Sequence, residues 1–318
     1  MGKISVMGAA IIDVLAAPVN FDKLSVGSLP MEDITLSYGG DALNEAVVLA
    51  KMGAEVELFS TVGDDEAGER IVNYLSSLGV DTRGISRKPD VPTGINMVLV
   101  DDKGERYFLT NPHGSLRKLT EDDLTPYTDT GSDIVSFAGI FVSPLLDIPA
   151  MTRLFAAIKK RPGRVLAADM TKAKKGETLS DLTPALRYID YIFPNEAEAA
   201  LLTGRDDPYE NARLLTEAGV GCAVIKRGKE GCLIRKDGEY IELPAFPGVK
   251  ALDSTGAGDT FAAGFIYALS RGFSLRDCGL FANAAASVAV EYPGATEKFP
   301  GIEKVRERYE DLKRLSGY

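Results

Sequence analysis

Residues 253–259 read Asp-Ser-Thr-Gly-Ala-Gly-Asp, and the apolar run Thr-Phe-Ala-Ala-Gly-Phe-Ile-Tyr-Ala-Leu follows at once. Two acidic residues bracket a turn of small residues that leads into a helical pattern, with Phe261, Phe265 and Leu269 on one face. A helix start leaves backbone N–H groups unpaired and carries the positive end of the helix dipole, so it holds anions. Small residues at 256–258 let the backbone approach such an anion closely. Asp259, beside that pocket, could take a proton from an attacking hydroxyl. The same residues also suit a plain strand-to-helix turn capped by Asp259, so the rest of the chain must decide.

Three further segments carry groups of the same kind. Tyr38-Gly39-Gly40-Asp41-Ala42-Leu43-Asn44 opens a helical pattern that runs to Met52, with Gly53 as its stop. The glycine pair admits close backbone approach, Asp41 can cap the helix or accept a sugar hydroxyl, and Asn44 both donates and accepts. Pro194-Asn195-Glu196-Ala197-Glu198 sets an amide and a carboxylate three apart at a helix start. Such a pair can hold water-shielded Mg²⁺, or serve only as a capping box. Val224 to Gly231 reads as a strand, a glycine loop containing Lys226, Gly228 and Gly231, and a return strand. Asp13, at a strand end, is either a helix cap or a hydroxyl acceptor.

Composition removes other chemistries. The single histidine, His113, leaves no serine triad and no His-rich metal site. There is no Gly-x-x-x-x-Gly-Lys-Ser/Thr loop, and Gly8-Ala9-Ala10 lacks the later glycine of a dinucleotide fingerprint. With 36 basic and 46 acidic residues the net charge is −10, which argues against nucleic acid as a partner. A polyanion such as ATP would then need a local positive site. Cys222, Cys232 and Cys278 are odd in number and lack metal spacing, so they read as reduced, buried residues. The amino terminus reads as a first strand, and 134–148 is too short and too broken by Gly139 and Pro144 to span a membrane. A cytoplasmic enzyme is expected.

In this order the segments resemble the signatures of the PfkB/ribokinase family of small-molecule kinases, and the resemblance covers essentially the whole chain. Asp253–Asp259 is similar to the carboxy-terminal signature, with Ser254 where many members carry Thr. Gly39 to Asn44, with Gly63-Asp64-Asp65 and Gly68, resembles the amino-terminal one, and Asn195 with Glu198 matches the family's Asn-x-x-Glu element. The resemblance implies that the nitrogens of Gly256, Ala257 and Gly258 form an anion hole and that Asp259 is the general base. It assigns Asp13, Gly39, Gly40, Asp41 and Asn44 to substrate hydroxyls, and Arg106, Asn111, Asp169 and Lys172 to the remaining substrate contacts. Asn195, Lys226, Gly228, Gly231 and Asn283 are assigned to the nucleotide, Asn283 lining the adenine pocket. Asn195 and Glu198 are assigned to Mg²⁺ through water, and Asp253, Thr255 and Gly294 to a monovalent cation, expected to be K⁺.

The implied activity is ATP-dependent phosphorylation of a hydroxyl, expected to be primary, on a small sugar or sugar derivative. Asp41 after the glycine pair resembles 2-keto-3-deoxy sugar acid kinases more than ribokinases, which typically place Lys there. Acid-binding members, however, carry Arg where this chain has Thr110-Asn111-Pro112-His113. They also carry Asn and Arg where this chain has Met170-Thr171-Lys172-Ala173-Lys174. Lys172 or Lys174 could replace that charge without copying the Arg fork. The combination is similar to the YdjH-type bacterial sugar kinases. A neutral ketose or aldose is expected first, a sugar acid second and a nucleoside third, with Tyr38, Phe108 or Phe141 to stack a base. The reading from another class is a non-catalytic sugar- or nucleotide-binding regulator.

The elements that must position these groups alternate. Strand patterns at 3–7, 55–61, 133–137, 165–169, 190–193 and 222–226 interleave with helical ones at about 42–52, 65–78, 149–160, 195–203, 208–218, 259–271 and 277–291. This predicts an α/β fold with a mostly parallel central sheet, which the resemblance makes a ribokinase-like three-layer α/β/α. In 65–78, Ile71, Leu75 and Leu78 share one face and Gly79 stops the helix. Residues 14–40 and 93–112 alternate like strands with no helix between, the second turning at Asp101-Asp102-Lys103-Gly104. They predict a β lid inserted into a single domain spanning 1–318, whose open edges could pair in a homodimer.

Overall fold

The computed structural model describes residues 2–102 and 105–317. Its first third contains β1 (Ile4–Gly8), β2 (Ile11–Val19), β3 (Asp33–Gly39), α1 (Asp41–Lys51), β4 (Val56–Gly63), α2 (Glu66–Ser77), β5 (Ile85–Lys88), β6 (Ile95–Asp101) and β7 (Arg106–Thr110). The middle runs through α3 (Glu121–Leu124), β8 (Ile134–Ile140), α4 (Ile148–Ile158), β9 (Val165–Met170), α5 (Leu179–Leu186), β10 (Tyr191–Ile192), α6 (Glu196–Thr203) and α7 (Pro208–Glu217). The last part is β11 (Cys222–Lys226), β12 (Cys232–Lys236), β13 (Glu239–Leu243), α8 (Ala257–Ser270), α9 (Leu275–Ala289) and α10 (Ile302–Leu315).

Nine strands form one sheet in the order β13-β12-β11-β10-β9-β8-β1-β4-β5. Pairing is parallel from β11 to β5 and antiparallel at the β11–β12–β13 end. Every residue of β1, β4 and β8 is buried, as expected of parallel strands covered on both faces. Alternate residues feed two cores. Val6 and Leu58 join Leu43, Phe265, Phe281 and Leu312 under α1, α8, α9 and α10. Met7 and Phe59 join Leu154, Leu182 and Leu215 under α4, α5 and α7. The predicted three-layer α/β/α architecture is thus realised. Phe265 is fully buried between α8 and the sheet, so truncating it to Ala would cost about 3–5 kcal/mol.

The two segments predicted as a lid supply a second sheet, ordered β3-β2-β6-β7. Its register puts Ser37, Asp13, Asn96 and Thr110 in one row, and Leu36, Val14, Met97 and Leu109 in the neighbouring row on the opposite face. One face is therefore polar near Asp13, while the other is apolar and exposed, with Leu36, Met97 and Leu109 each about half accessible. A 3₁₀ turn at Phe21–Val26 joins β2 to β3 where no helix was expected; the Asn20 side chain caps it by accepting from the Asp22 N–H. The expected turn at Lys103-Gly104 and the side chain of Arg106 lie outside the described residues.

Five elements were not predicted: α3, α5, α10, β5 and β13. α5 carries Pro184 in its interior, a residue that argues against helix, yet a Thr178/Asp181 capping box starts it. α10 is heavily charged, and Val305, Arg308, Tyr309 and Leu312 make up its buried face. β5 has four residues, too few to display a period.

Candidate active site

Parallel strands present their carboxyl ends on one edge of the sheet, and loops leaving that edge are where ligands bind in α/β folds. There α8 begins at Gly256, which adopts a left-handed φ of 71° and offers no side-chain cap. A Cβ at Gly256 would lie 2.7 Å from the Ala295 carbonyl oxygen, so both backbone and packing demand glycine. A Cβ at Gly258 would lie 3.2 Å from the Lys226 ammonium. The head of α8 thus meets a cation. Of the three nitrogens expected to form the anion hole, that of Ala257 already donates to the Ser254 carbonyl at 3.2 Å.

Asp259 sits in the first turn of α8. Its Oδ2 accepts from Asn44 Nδ2 at 2.7 Å, linking the starts of α1 and α8 across the cleft. Thr296 Oγ1 holds the other end of that amide, donating to Asn44 Oδ1 at 3.4 Å. Burial first, and then the charges of Asp41 and Asp169, push the Asp259 carboxyl well above the usual range; the bond from Asn44 opposes them. Asp41 is pushed up to about 6 by burial and by Asp169, with Lys226 and Lys174 pulling the other way.

Lys226, at the end of β11, donates to both oxygens of Asp169 at 2.8 Å, and Asp169 is the last residue but one of β9, across β10 in the sheet. Burial alone would lower the ammonium's pKa, but Asp169 and Glu198 outweigh it and hold it above its ordinary value. Lys226 N–H also donates to the Pro194 carbonyl at 2.8 Å, which brings Asn195 and Glu198 alongside. These two make the capping box: Asn195 N–H donates to Glu198 Oε2 at 2.8 Å, and Glu198 N–H donates to Asn195 Oδ1 at 2.9 Å. Glu198 is pushed up to about 7, by burial first and by Asp169, against the pull of Lys226. No group of three or more Asp, Glu, His or Cys among the described residues is arranged to hold a metal. A hard cation that keeps most of its waters asks for no more than an amide and a carboxylate, so the donor set fits Mg²⁺.

On the lid side, Asp13 Oδ1 accepts from Asn96 Nδ2 at 3.1 Å, and a Cβ at Gly39 would collide with Asp13 Oδ2. Gly40, at φ 95°, passes so close that a Cβ would lie 2.5 Å from the Ala9 carbonyl oxygen. Sequence reasoning missed Asn96 and Gly139. A Cβ at Gly139 (φ 93°) would lie 2.7 Å from Asp41 Oδ2. Only the alternation of β6 with β2, which sets Asn96 opposite Asp13, could have signalled the first.

The other candidates scatter. Asp253 gathers its group: Oδ1 accepts from the Thr255 N–H and hydroxyl at 2.9 and 2.7 Å, and Oδ2 accepts from the Gly294 N–H at 3.0 Å. Gly228 turns at φ 54° with open space beside it, whereas a Cβ at Gly231 would strike the Leu243 carbonyl. Asn283 is buried and donates to the Pro244 carbonyl at 3.0 Å, tying α9 to the end of β13. Asn111 is exposed and its side chain accepts from His113 N–H at 2.9 Å. Lys172 is also exposed, while Lys174 is the lysine of that stretch whose charge reaches Asp41.

Comparison with known proteins agrees with this fold. Residues 1–301 match the model of the pfkB family carbohydrate kinases. A 5-dehydro-2-deoxygluconokinase from Clostridium tetani is 30% identical over 311 residues, spanning 91% of this chain and 89% of that protein. A ribokinase from Haemophilus influenzae is 28% identical over 289 residues, spanning 88% of this chain and 90% of the relative. The crystal structure of a Thermotoga maritima ribokinase superposes with a TM-score of 0.82 at 26% identity, covering 98% of this chain and all of that one. With the fold and the matched length in agreement, the chain belongs to the pfkB family of carbohydrate kinases.

Proposed function

We propose that the protein transfers the γ-phosphoryl group of ATP to a primary hydroxyl of a small sugar or sugar derivative, with Asp259 as general base. The observation that carries this reading is the convergence at the head of α8. There a carboxylate held by Asn44, an ammonium held by Asp169 and a left-handed glycine start share one cleft. In the reaction the substrate oxygen attacks the γ-phosphorus as its proton passes to Asp259, and the bond to the bridging oxygen breaks to release ADP. A free alcohol is too weak an acid to be ionised beforehand, so proton transfer accompanies attack, and a carboxyl raised well above its usual range is a stronger base once ionised. Lys226 and the N–H groups of Gly256–Gly258 hold the phosphoryl oxygens, where most of the catalysis of such transfers lies. Asn195 and Glu198 hold Mg²⁺ through water, and the ion supplies charge neutralisation to the phosphates. The Asp253, Thr255 and Gly294 loop holds K⁺.

Asp13, Asp41, Asn44, Asn96 and the glycines 39 and 40 receive the sugar's hydroxyls, with the small sheet closing over them. Its outer apolar row of Leu36, Met97 and Leu109 pairs two copies into a homodimer. The enzyme works where ATP is made available, in the cytoplasm. Relatives of near-equal identity carry different substrate names, a ribokinase and a 5-dehydro-2-deoxygluconokinase. ADP release with ketoses, aldoses, sugar acids and nucleosides, in Mg²⁺ and K⁺, tests the reading. ATP binding without ADP from any of them would replace it with the non-catalytic regulator, and a monomer by sedimentation would remove the dimer.

A further inference from the structure

We propose that Lys51 is a positioning residue for the phosphoryl transfer, holding the 294–299 segment against which Asn44, Gly256 and Asp253 are set. The inference rests on the kinase reading above and adds a residue outside the proposed substrate and nucleotide contacts. Lys51 is half-buried in the last turn of α1, about two turns beyond Asn44. Its ammonium donates to the carbonyl oxygens of Thr296 at 3.1 Å, Glu297 at 2.5 Å and Phe299 at 3.2 Å. An ammonium has three N–H donors, so one segment takes all of them. A lysine at a helix end ordinarily serves the last carbonyls of its own helix or the dipole they carry. Lys51 instead spends its donors on backbone 245 to 248 residues away.

The segment matters because of what is built against it. It joins α9 to α10 with no helix or strand of its own, so its shape depends on bonds to the rest of the fold. Thr296 Oγ1 donates to Asn44 Oδ1 at 3.4 Å, and Asn44 Nδ2 donates to Asp259 Oδ2 at 2.7 Å. The Ala295 carbonyl packs on Gly256, where a Cβ would lie 2.7 Å from its oxygen. Gly294 N–H donates to Asp253 Oδ2 at 3.0 Å. The Glu297 carboxyl accepts from the N–H of Tyr38, the residue before the glycine pair. A shift of this one segment therefore moves the partner of Asp259, the first glycine of α8 and the Asp253 loop together. Lys226, Asp169 and Asp13 stand on β11, β9 and β2, which Lys51 does not bond, so the groups that hold ATP and sugar stay in place. Misplacement by about 1 Å then costs rate, up to about a hundredfold, more than affinity.

The test measures ADP release from Mg²⁺-ATP with ribose, fructose, 2-keto-3-deoxygluconate and adenosine, and follows the acceptor that the wild type uses best. Lys51→Met keeps the apolar stem and removes the donors; its kcat should fall about 10- to 100-fold, with both KM values within about threefold of wild type. Lys51→Arg still donates and should keep most of the rate. Lys51→Ala leaves the space of a propylammonium ion, which should restore part of the lost kcat. Tetramethylammonium, with the charge but no N–H, should restore none. Hydrogen exchange of the 290–301 backbone reads the same anchor without any chemistry. It should quicken in Lys51→Met and Lys51→Ala, slow again when propylammonium is added to the latter, and stay near wild type in Lys51→Arg. A Lys51→Met kcat within about twofold of wild type would overturn the proposal, since even a small misplacement costs more. So would a kcat loss with unchanged exchange, or an equal loss in Lys51→Arg. A wild type that releases no ADP with any acceptor removes the kinase reading by itself. Exchange in 290–301 then still decides for Lys51: faster in Lys51→Met keeps the anchor, unchanged removes it.

Discussion

The two ends of the central sheet each gather acidic residues and treat them oppositely. At the amino ends of β1, β4 and β8, Glu57 Oε1 accepts from Ser5 Oγ at 2.5 Å and Ser132 Oγ at 2.9 Å, and Lys3 pairs with the same carboxylate. Asp81 next to it is clamped by Arg83 at 2.9 and 2.6 Å and by Lys3 at 3.1 Å, and its carboxyl is held well below the usual range, by the Arg83 bond first. At the carboxyl ends, Asp41, Asp169, Glu198 and Asp259 share the buried ammonium of Lys226, and the charges of Asp41, Asp169 and Asp259 act on Glu45. All five carboxyls are raised, burial being the largest cause in each. Glu45 is fully buried, with Ser136 donating to Oε2 at 2.5 Å and no partner for Oε1. One end satisfies its charges within the fold. The other leaves them wanting protons, a cation and hydroxyl donors, which magnesium, ATP and a sugar bring.

The contrast breaks first at Asp259. Asp259→Asn should cut turnover by about 10²- to 10⁴-fold, the share of a general base, while ATP and sugar binding persist and the melting temperature does not fall. Single-turnover kinetics measures it; near-normal turnover would remove Asp259 as the base. Lys226→Met should damage both properties, because it leaves Asp169 buried without its partner, at a cost of about 3–5 kcal/mol. Adding Asp169→Leu should restore much of the melting temperature and none of the activity. A double variant that regained turnover would mean Lys226 acts only on the fold. Glu57→Gln, at the satisfied end, should leave kcat within about twofold and cost about 1–3 kcal/mol, read by denaturant melts.

The satisfied end was illegible in the sequence and the strained end largely legible, for one physical reason. The carboxylates proposed to contact ligands, Asp41, Asp259 and Asp169, sit beside glycine, at a helix start or near a strand end, and those surroundings leave local marks. Glu57 sits inside an apolar strand, and its partners Ser5 and Ser132 are 52 and 75 residues away, so nothing local announces it. The same distance hid Asn96, which meets Asp13 only through the pairing of β2 with β6. The alternation of strands and helices gave the three layers because the central strands β1, β8 and β9 are largely apolar; Pro184 in α5 and the charge of α10 masked helices whose packing overrides local preference. Asn195 and Glu198 illustrate a motif with two readings that the geometry keeps compatible, since the capping box leaves Glu198 Oε1 and the second lone pair of Asn195 Oδ1 for a cation's waters.

The smallest expected effect discriminates the two ends by their protons. Asp41 at about 6 and Glu198 at about 7 stand above their ordinary values of 3.8 and 4.5. The folded state therefore binds these protons more tightly than the unfolded chain does. Stability from these groups is present below the unfolded values and is lost as pH rises through the folded ones. The ligand-free protein should accordingly melt a few degrees higher at about pH 5.5 than at about pH 8. The amino-end acids act in the opposite sense but in a different window: Asp81, held low, contributes stability that disappears only as pH falls below the ordinary carboxylate range. Mg²⁺-ATP should reduce or reverse the difference between the two pH values, because it favours the ionised carboxyls. Glu57→Gln should lower both melting points alike. A ligand-free protein that melts higher at about pH 8 would mean the carboxyl-end acids are ionised without penalty, and the division between the two ends would fall.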